Sequence, residues 1–300
     1  MPPLKSKPAA ATQATAPTTT APAPAKKGPV DMSSHFRTSD EAELEGAVIV
    51  HGTPGAGKTF FAASASEFFP DDMNDLGQGK IRDLEDMLWI SVDDGATAGF
   101  KAAKIRVREL DLRALMGEKG VPTALDMVRK LVSTQKFKYV VLDTISQLDK
   151  YLGGYYAQIH ADNPNTFSLY RDILARHRRL HQDLSLLEGQ KIYLAHSKAL
   201  MEASQATADQ KNRAKAAAMA GADAIQVDIT GQARNLYLAS ASLVVYLAAT
   251  VAPGTGKREI KRIAYPYGGA GFEGKTRHQH ILEYQEEPHL RHIFEKIQRG

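Results

Sequence analysis

Short apolar runs alternate with amphipathic segments along most of this chain. Five runs have the composition of buried strands: Glu45–His51, Met87–Val92, Lys104–Leu110, Tyr139–Leu142 and Lys191–Ala195. Apolar residues at helical spacing lie between them, at Lys58–Phe69, Thr123–Gln135 and Phe167–Leu187. Strands that alternate with helices predict an α/β fold with a mostly parallel central sheet and helices on both faces. Because right-handed crossovers bring the carboxyl ends of parallel strands to one edge, we expect the loops after these strands to line a ligand-binding edge.

The last third of the chain has a different pattern. A predicted helix at Thr230–Ser240 is followed by strands at Leu243–Val251 and Arg258–Pro266, with a turn at Pro253–Gly256 between the strands. These strands predict a C-terminal antiparallel hairpin that extends the sheet. The apolar stretch Leu236–Ala252 carries several hydroxyl groups, so we interpret it as a helix end and a buried strand. We therefore expect no membrane span.

Composition divides the chain into two parts. Residues 1–38 are rich in Ala, Pro and Thr and predict a disordered tail, whereas residues 39–300 predict one folded domain. The formal net charge is only +4, and the tail holds part of it in Lys5, Lys7, Lys26 and Lys27. Bulk charge therefore does not establish nucleic-acid binding. The sequence has no cysteine, which excludes disulfides and thiolate metal sites and fits a reducing cytosol without excluding another compartment.

A phosphate-binding motif follows the first predicted strand. The segment GTPGAGKT, Gly52–Thr59, matches G-x-x-x-x-G-K-[ST], and its glycines let successive backbone N–H groups turn inward around an anion. Lys58 would reach the β- and γ-phosphates and the Thr59 hydroxyl would bind magnesium. We predict an ATP site with Mg²⁺ as cofactor. Its nucleotide-contacting residues are Gly52, Thr53, Pro54, Gly55, Ala56, Gly57, Lys58, Thr59 and Phe60.

Asp143 ends the apolar run Tyr139–Leu142, as a Walker B carboxylate does. On a strand beside the P-loop it would hold magnesium together with Thr59. The alternative is an aspartate that only ends the strand and caps a helix beginning near Thr144. We favour the metal-binding interpretation, because a P-loop requires such a partner.

Polar side chains end two further strands. Asp93 and Asp94 follow Met87–Val92, where a carboxylate could polarise an attacking water, or they could form a turn with Gly95. His196 follows Lys191–Ala195 and could sense the γ-phosphate by a hydrogen bond, or it could be structural. The ligand-binding edge favours the sensor interpretation for His196.

The ordered motifs GTPGAGKT, WISVDDG, KYVVLDTIS, IYLAHS and GFEGKTRH resemble one known family. They look like the compact RecA-like P-loop ATPases of bacteriophages, shortened recombinase relatives that promote single-strand annealing. The resemblance spans roughly Ala47–His278, and its ordered set of motifs is more specific than the P-loop alone. It implies a RecA-like ATPase core at residues 39–300 and a cytoplasmic protein, in the host cytoplasm if the chain is phage-encoded.

The resemblance implies roles for residues outside the P-loop. Asp94 falls where RecA-like proteins place a catalytic glutamate, and its shorter side chain puts efficient hydrolysis in doubt. His196 matches the sensor, while Lys275 and Arg277 match a basic pair that reaches the ATP of a neighbouring subunit. Without the resemblance, an ordinary basic turn after a strand is the favoured interpretation of this pair. The implied catalytic residues are Lys58, Asp94, His196, Lys275 and Arg277.

The segment after His196 corresponds to the DNA-gripping loop of RecA-like filaments. It carries four cations and no aromatic residue: Lys198, Lys211, Arg213 and Lys215. Phosphate contacts without base stacking would make binding to single-stranded DNA sequence-independent and salt-sensitive. The alternative is a solvated surface loop. A second basic cluster, Arg176, Arg178 and Arg179, fits a solvated or subunit-facing stripe better than a DNA site.

Two functional hypotheses follow. The first is an ATP-hydrolysing protein that binds single-stranded DNA and promotes homologous recombination or annealing as a homo-oligomer, with single-strand-binding or replication proteins as further partners. The alternative is a nucleotide-gated loader or scaffold that acts on protein partners. A small-molecule kinase is disfavoured, because the expected arginine-bearing lid is missing and the late hairpin would have no role.

Overall fold

The sheet at the centre of the computed structural model extends across the chain from Ala47 to Glu286. The structure describes residues 46–93, 95–132, 136–163, 166–199, 225–251, 260–268, 271–278, 281, 285–286 and 288–299. The predicted tail at residues 1–38 and the boundary at residue 39 lie outside these residues and stay predictions. The strands are β1 Ala47–Gly52, β2 Arg82–Ser91, β3 Ile105–Asp111, β4 Tyr139–Asp143, β5 Gln190–Ala199, β6 Ile225–Val227, β7 Ala241–Val251, β8 Ile260–Tyr265, β9 Lys275–Thr276 and β10 Gln285–Glu286.

The helices follow the strands in the alternation that the sequence predicts. They are α1 Lys58–Ala63, α2 Gly95–Ala102, α3 Leu112–Lys119, α4 Val121–Val132, α5 Ile145–Ile159, α6 Thr166–Ser185, α7 Gly231–Ser240 and α8 Leu290–Arg299. None of these described helices is long and apolar enough to cross a membrane.

The strand order is β10-β8-β7-β1-β5-β4-β2-β3, with β6 paired to β5 and β9 paired to β7. From β7 to β3 the neighbouring strands are parallel, while β8, β9 and β10 add antiparallel pairs at the other edge. The predicted α/β fold, with its mostly parallel sheet and antiparallel C-terminal strands, is confirmed. Since Gly52 pairs with His196 and Ser91 pairs with Asp143, the carboxyl ends of four parallel strands meet at one edge.

Each face of the sheet carries its own hydrophobic core, because side chains alternate along every strand. Val48 and Val50 of β1 pack with α1, α2 and α8, whereas Ile49 packs with α3 to α7. A sheet buried on both faces explains why its strands are continuous apolar runs. It also leaves the strand ends as the place where polar side chains collect.

Several boundaries differ from the prediction. α1 ends at Ala63, not at Phe69, because the Ser64 hydroxyl donates to Phe61 O at 2.7 Å and the next amides bond three residues back. Helices α3 and α8 were not predicted from the sequence, and β5 runs on to Ala199, where β6 pairs with it. The hairpin turn at 253–256 lies outside the described residues.

Candidate nucleotide-binding site

The P-loop connects β1 to α1 at the carboxyl edge of the sheet, as predicted. Gly55 and Gly57 have φ of 81° and 93°, a left-handed backbone that favours glycine and lets the chain curl around an anion. The rim of the loop, Thr53 to Gly55, is exposed, whereas Ala56 is buried beneath it. The loop therefore opens to solvent above a buried base. Phe60, also predicted to contact nucleotide, packs its ring edge-on against Phe100 of α2.

Lys58 is held at the base of this loop. Its side chain is 8% exposed, and Nζ donates to Gly52 O at 3.0 Å and to Thr53 O at 3.1 Å. Burial lowers the pKa of Lys58, and the negative charges of Asp143 and Asp93 oppose this shift. A cation is thus fixed in the loop, and carboxylates that follow two neighbouring strands favour its charged form.

Asp143 ends β4 next to the P-loop. It is 4% exposed, and Thr59 Oγ1 donates to its Oδ2 at 3.5 Å. Burial and the charge of Asp93 raise the pKa of Asp143 to about 7, against the opposing charge of Lys58. The alternative that Asp143 caps the following helix is wrong, because Thr144 is the N-cap of α5 and its Oγ1 accepts from Gln147 N at 3.1 Å. The Asp143 carboxylate is therefore not used as a helix cap, and it lies beside the Thr59 hydroxyl. These are oxygen ligands of the kind that Mg²⁺ binds.

Asp93 joins these groups from the end of β2. Its negative charge raises the pKa values of Lys58, Asp143 and His196 against or along with the other causes of their shifts. Its Oδ1 also accepts from Gly95 N at 3.0 Å, so the turn predicted with Gly95 forms as well. Asp94 lies outside the described residues, and its catalytic role stays a prediction. Of the two adjacent aspartates, the structure therefore places Asp93 at the candidate site.

His196 on β5 lies opposite Gly52 in the register of β1 and β5. Burial and the charge of Lys58 lower its pKa, and Asp93 opposes them. Its Nδ1 is buried and has no hydrogen-bond partner among the described residues. Since a buried polar atom without a partner is costly, this nitrogen is available to a phosphate oxygen or a water at the site.

His51, directly before the P-loop, anchors the site to two other segments and was missed by the sequence analysis. Its Nε2 lies 2.6 Å from Glu273 O and its Nδ1 lies 2.9 Å from Ser197 Oγ. Because a carbonyl only accepts, Nε2 carries the proton and Nδ1 accepts from the Ser197 hydroxyl. Arg234 forms an ion pair with the Glu273 carboxylate, which also accepts from the Val227 amide. Only the position beside the motif could have indicated His51, since its partners are far along the chain.

The burial of His51 should make the free energy of unfolding depend on pH. Burial lowers the pKa of His51 from 6.5 to about 4. Between these two pH values His51 is therefore protonated in the unfolded chain and neutral in the folded chain. The wild-type free energy of unfolding minus that of His51→Gln should be largest above pH 6.5 and fall by about 3 kcal/mol as pH drops to 4. Urea titrations at several pH values test this. The subtraction removes the contribution of Asp143, which runs in the opposite direction, and a difference that does not vary with pH would contradict the prediction.

Lys275 and Arg277 are not brought to the P-loop of their own chain. Lys275 Nζ donates to Leu238 O at 2.8 Å, and the Arg277 guanidinium donates to Ala239 O at 3.2 Å. Both therefore bond carbonyls in the last turn of α7. β9 pairs with the amino-terminal half of β7, several residues back from the nucleotide edge. A role at an ATP site would require the site of another subunit, and it stays a prediction.

The predicted DNA-binding cations are only partly described. Lys198 lies on β5, where its Nζ is 3.4 Å from an Asp228 carboxylate oxygen and 3.3 Å from Ile229 O. Lys211, Arg213 and Lys215 lie outside the described residues. In the second basic cluster, Arg176 donates to Tyr156 OH at 2.8 Å and Arg179 pairs with Asp183.

Comparisons with known proteins leave the function open. No family model matches the chain, and no curated protein sequence matches it. A search of solved structures finds, among others, a KaiC-like protein from the archaeon Pyrococcus horikoshii OT3 at 13% identity and a TM-score of 0.37. The match covers 81% of this chain and 85% of that chain. A structural similarity at this TM-score does not support the fold assignment, which rests on the strand order and register.

Proposed function

We propose that the chain is an ATPase that binds ATP with magnesium at the P-loop and acts on single-stranded DNA as an oligomer, in recombination or annealing. The observation that carries the nucleotide part is the convergence of four strand ends on one edge. There Thr59 donates to Asp143, the charges of Asp143 and Asp93 act on Lys58, and the charges of Lys58 and Asp93 act on His196. A phosphate cradle, a cation and two carboxylates are the groups that phosphoryl transfer requires.

Each group has a role that follows from its position. Lys58 would exchange the carbonyls of Gly52 and Thr53 for phosphate oxygens, which are stronger acceptors for an ammonium group. Thr59 and Asp143 would hold Mg²⁺, which neutralises phosphate charge when bound. Asp93 would accept a hydrogen bond from the attacking water, and His196 Nδ1 would bond the terminal phosphate. Hydrolysis would then change the contacts of His196, which lies at the start of the predicted DNA-binding segment.

The DNA part of the proposal is supported by the ordered RecA-like motifs and by the cations that follow His196. Lys198 is half-exposed in an ion pair with Asp228, and a surface ion pair of this kind is worth about 1 kcal/mol or less. A DNA phosphate could therefore replace Asp228 as its partner. Homo-oligomers and single-strand-binding or replication proteins are proposed as partners on the same resemblance.

Single-stranded DNA should raise the ATPase rate, and its affinity should fall steeply with salt. Four phosphate contacts to a single strand predict a log–log slope of binding constant against salt of about −3. ATPase assays with and without an oligonucleotide, and anisotropy titrations at several salt concentrations, measure both quantities. A rate that ignores DNA, together with salt-independent or absent DNA binding, would favour the loader or scaffold alternative.

A matched pair of variants locates the DNA contacts. The triple variant Lys211→Gln, Arg213→Gln, Lys215→Gln should flatten the salt slope by about two units. Its control removes the same charge at exposed lysines elsewhere: Lys101→Gln, Lys119→Gln and Lys296→Gln. If both triple variants weaken DNA binding equally, the effect is one of net charge and the assigned loop is wrong.

A further inference from the structure

Arg262 on β8 reaches the P-loop from an unexpected direction. β8 runs antiparallel to β7, and Arg262 pairs with Ala249 in their register. Two residues on, Ala264 is buried in the core that packs against α1, so Arg262 projects to that same face of the sheet. This is the face on which α1 continues from the P-loop.

The guanidinium end of Arg262 lies directly against the loop backbone at Gly57. A Cβ added to Gly57 would stand 2.6 Å from Arg262 Nε and 2.8 Å from Arg262 Cδ. Such distances are shorter than van der Waals contact, so only glycine at residue 57 lets the arginine approach this closely. Gly57 is also the residue directly before Lys58 in the phosphate motif.

Arg262 is a cation without a counter-charge in the described structure. Its Nε is buried and has no hydrogen-bond partner there, and none of the described carboxylates forms an ion pair with it. Lys58 contrasts with it, since Nζ has two carbonyl acceptors and two carboxylates act on it. A half-buried guanidinium with an unpaired N–H is unfavourable until an anion supplies the acceptor.

We propose that Arg262 binds the phosphate chain of the nucleotide held by the P-loop of the same chain. This inference rests on the proposed nucleotide site and adds to it a second cation, supplied by the antiparallel edge of the sheet. The guanidinium group donates to phosphate oxygens from the side of the loop where Gly57 has no side chain. Arg262 thereby acts in cis, whereas Lys275 and Arg277 of the same chain face away.

The experiment compares Arg262→Gln with wild type in three binding titrations, using MgATP, inorganic tripolyphosphate and adenosine. Loss of one charge-assisted contact should raise the dissociation constants of MgATP and tripolyphosphate about ten- to a hundredfold. The constant for adenosine should not change. Lys261→Gln is the matched control, because it removes a charge from the adjacent, exposed position of the same strand and should leave all three constants as in wild type.

Thermal unfolding separates binding from a structural role. Without nucleotide, Arg262→Gln should unfold at or above the wild-type temperature, because the variant loses no ion pair. With MgATP its stabilisation should be smaller than that of wild type. Equal tripolyphosphate affinity in wild type and Arg262→Gln, or destabilisation of the nucleotide-free variant, would overturn the inference. Failure of the wild type itself to bind MgATP would instead overturn the proposed function.

Discussion

Lys58→Ala is expected to lower the rate of ATP hydrolysis by about 10²–10³-fold or more, the usual cost of removing one donor to developing phosphate charge. The structure adds a second reason for a large effect. Lys58 is the cation whose charge opposes the rise in the pKa of Asp143, which Asp93 reinforces. Without it no cation opposes the charges of Asp143 and Asp93 there, so the phosphates of ATP would meet a more negative edge. Steady-state phosphate release, measured with saturating magnesium, checks the rate.

The variant must be shown to fold, because Lys58 bonds Gly52 O and Thr53 O in the nucleotide-free loop. Lys58→Met keeps most of the buried aliphatic chain and removes the ammonium group with its two hydrogen bonds, so it should lose the same activity with less loss of stability than Lys58→Ala. Lys101→Ala, an exposed lysine of α2, is the matched control and should hydrolyse ATP like wild type. Retention of wild-type activity by a folded Lys58→Met would show that ATP hydrolysis does not depend on this P-loop.

Local sequence signals predicted the strands and the loop that carry the candidate site. The P-loop motif, the strand before it and the strands that carry Asp143 and His196 each depend on a few consecutive residues. Because parallel strands end at a common edge, their order along the chain was enough to bring these groups together. The mostly parallel sheet follows from the same alternation of short apolar runs and helices.

Features set by distant contacts could not be predicted in this way. In the sequence, Arg262 is one of several cations in a predicted strand. Only the pairing of β8 with β7 in the structure shows that it lies against Gly57. The hydrogen bonds of His51 join residues separated by more than a hundred positions in sequence. α1 was overextended because the helical spacing of Lys58–Phe69 says nothing about serine hydroxyls that compete for backbone groups. Asp93 and Asp94 are adjacent and chemically alike, so no sequence pattern separates them.

The double variant Lys275→Ala, Arg277→Ala is expected to lose ATP hydrolysis about 10³-fold, the lower range for basic groups that act on a transition state across an interface. A 1:1 mixture with Lys58→Ala should recover about a quarter of the wild-type rate, because a head-to-tail assembly then places an intact P-loop next to an intact basic pair at one interface in four. Phosphate release from the mixture, titrated against the proportion of each variant, measures the recovery.

The recovery matters because the structure offers a competing explanation for the loss. Lys275 and Arg277 bond carbonyls in the last turn of α7, so their removal costs helix stability of about 1 kcal/mol even if they never touch nucleotide. A structural defect of that kind stays with the damaged chain, and mixing cannot repair it. A mixture of Lys58→Ala with Asp143→Asn is the matched control, since both changes damage the same P-loop site and every interface lacks one of the two groups. Recovery in the first mixture and none in the second would show that the ATP site is completed by a neighbouring chain, whereas no recovery in either would confine Lys275 and Arg277 to holding the end of α7.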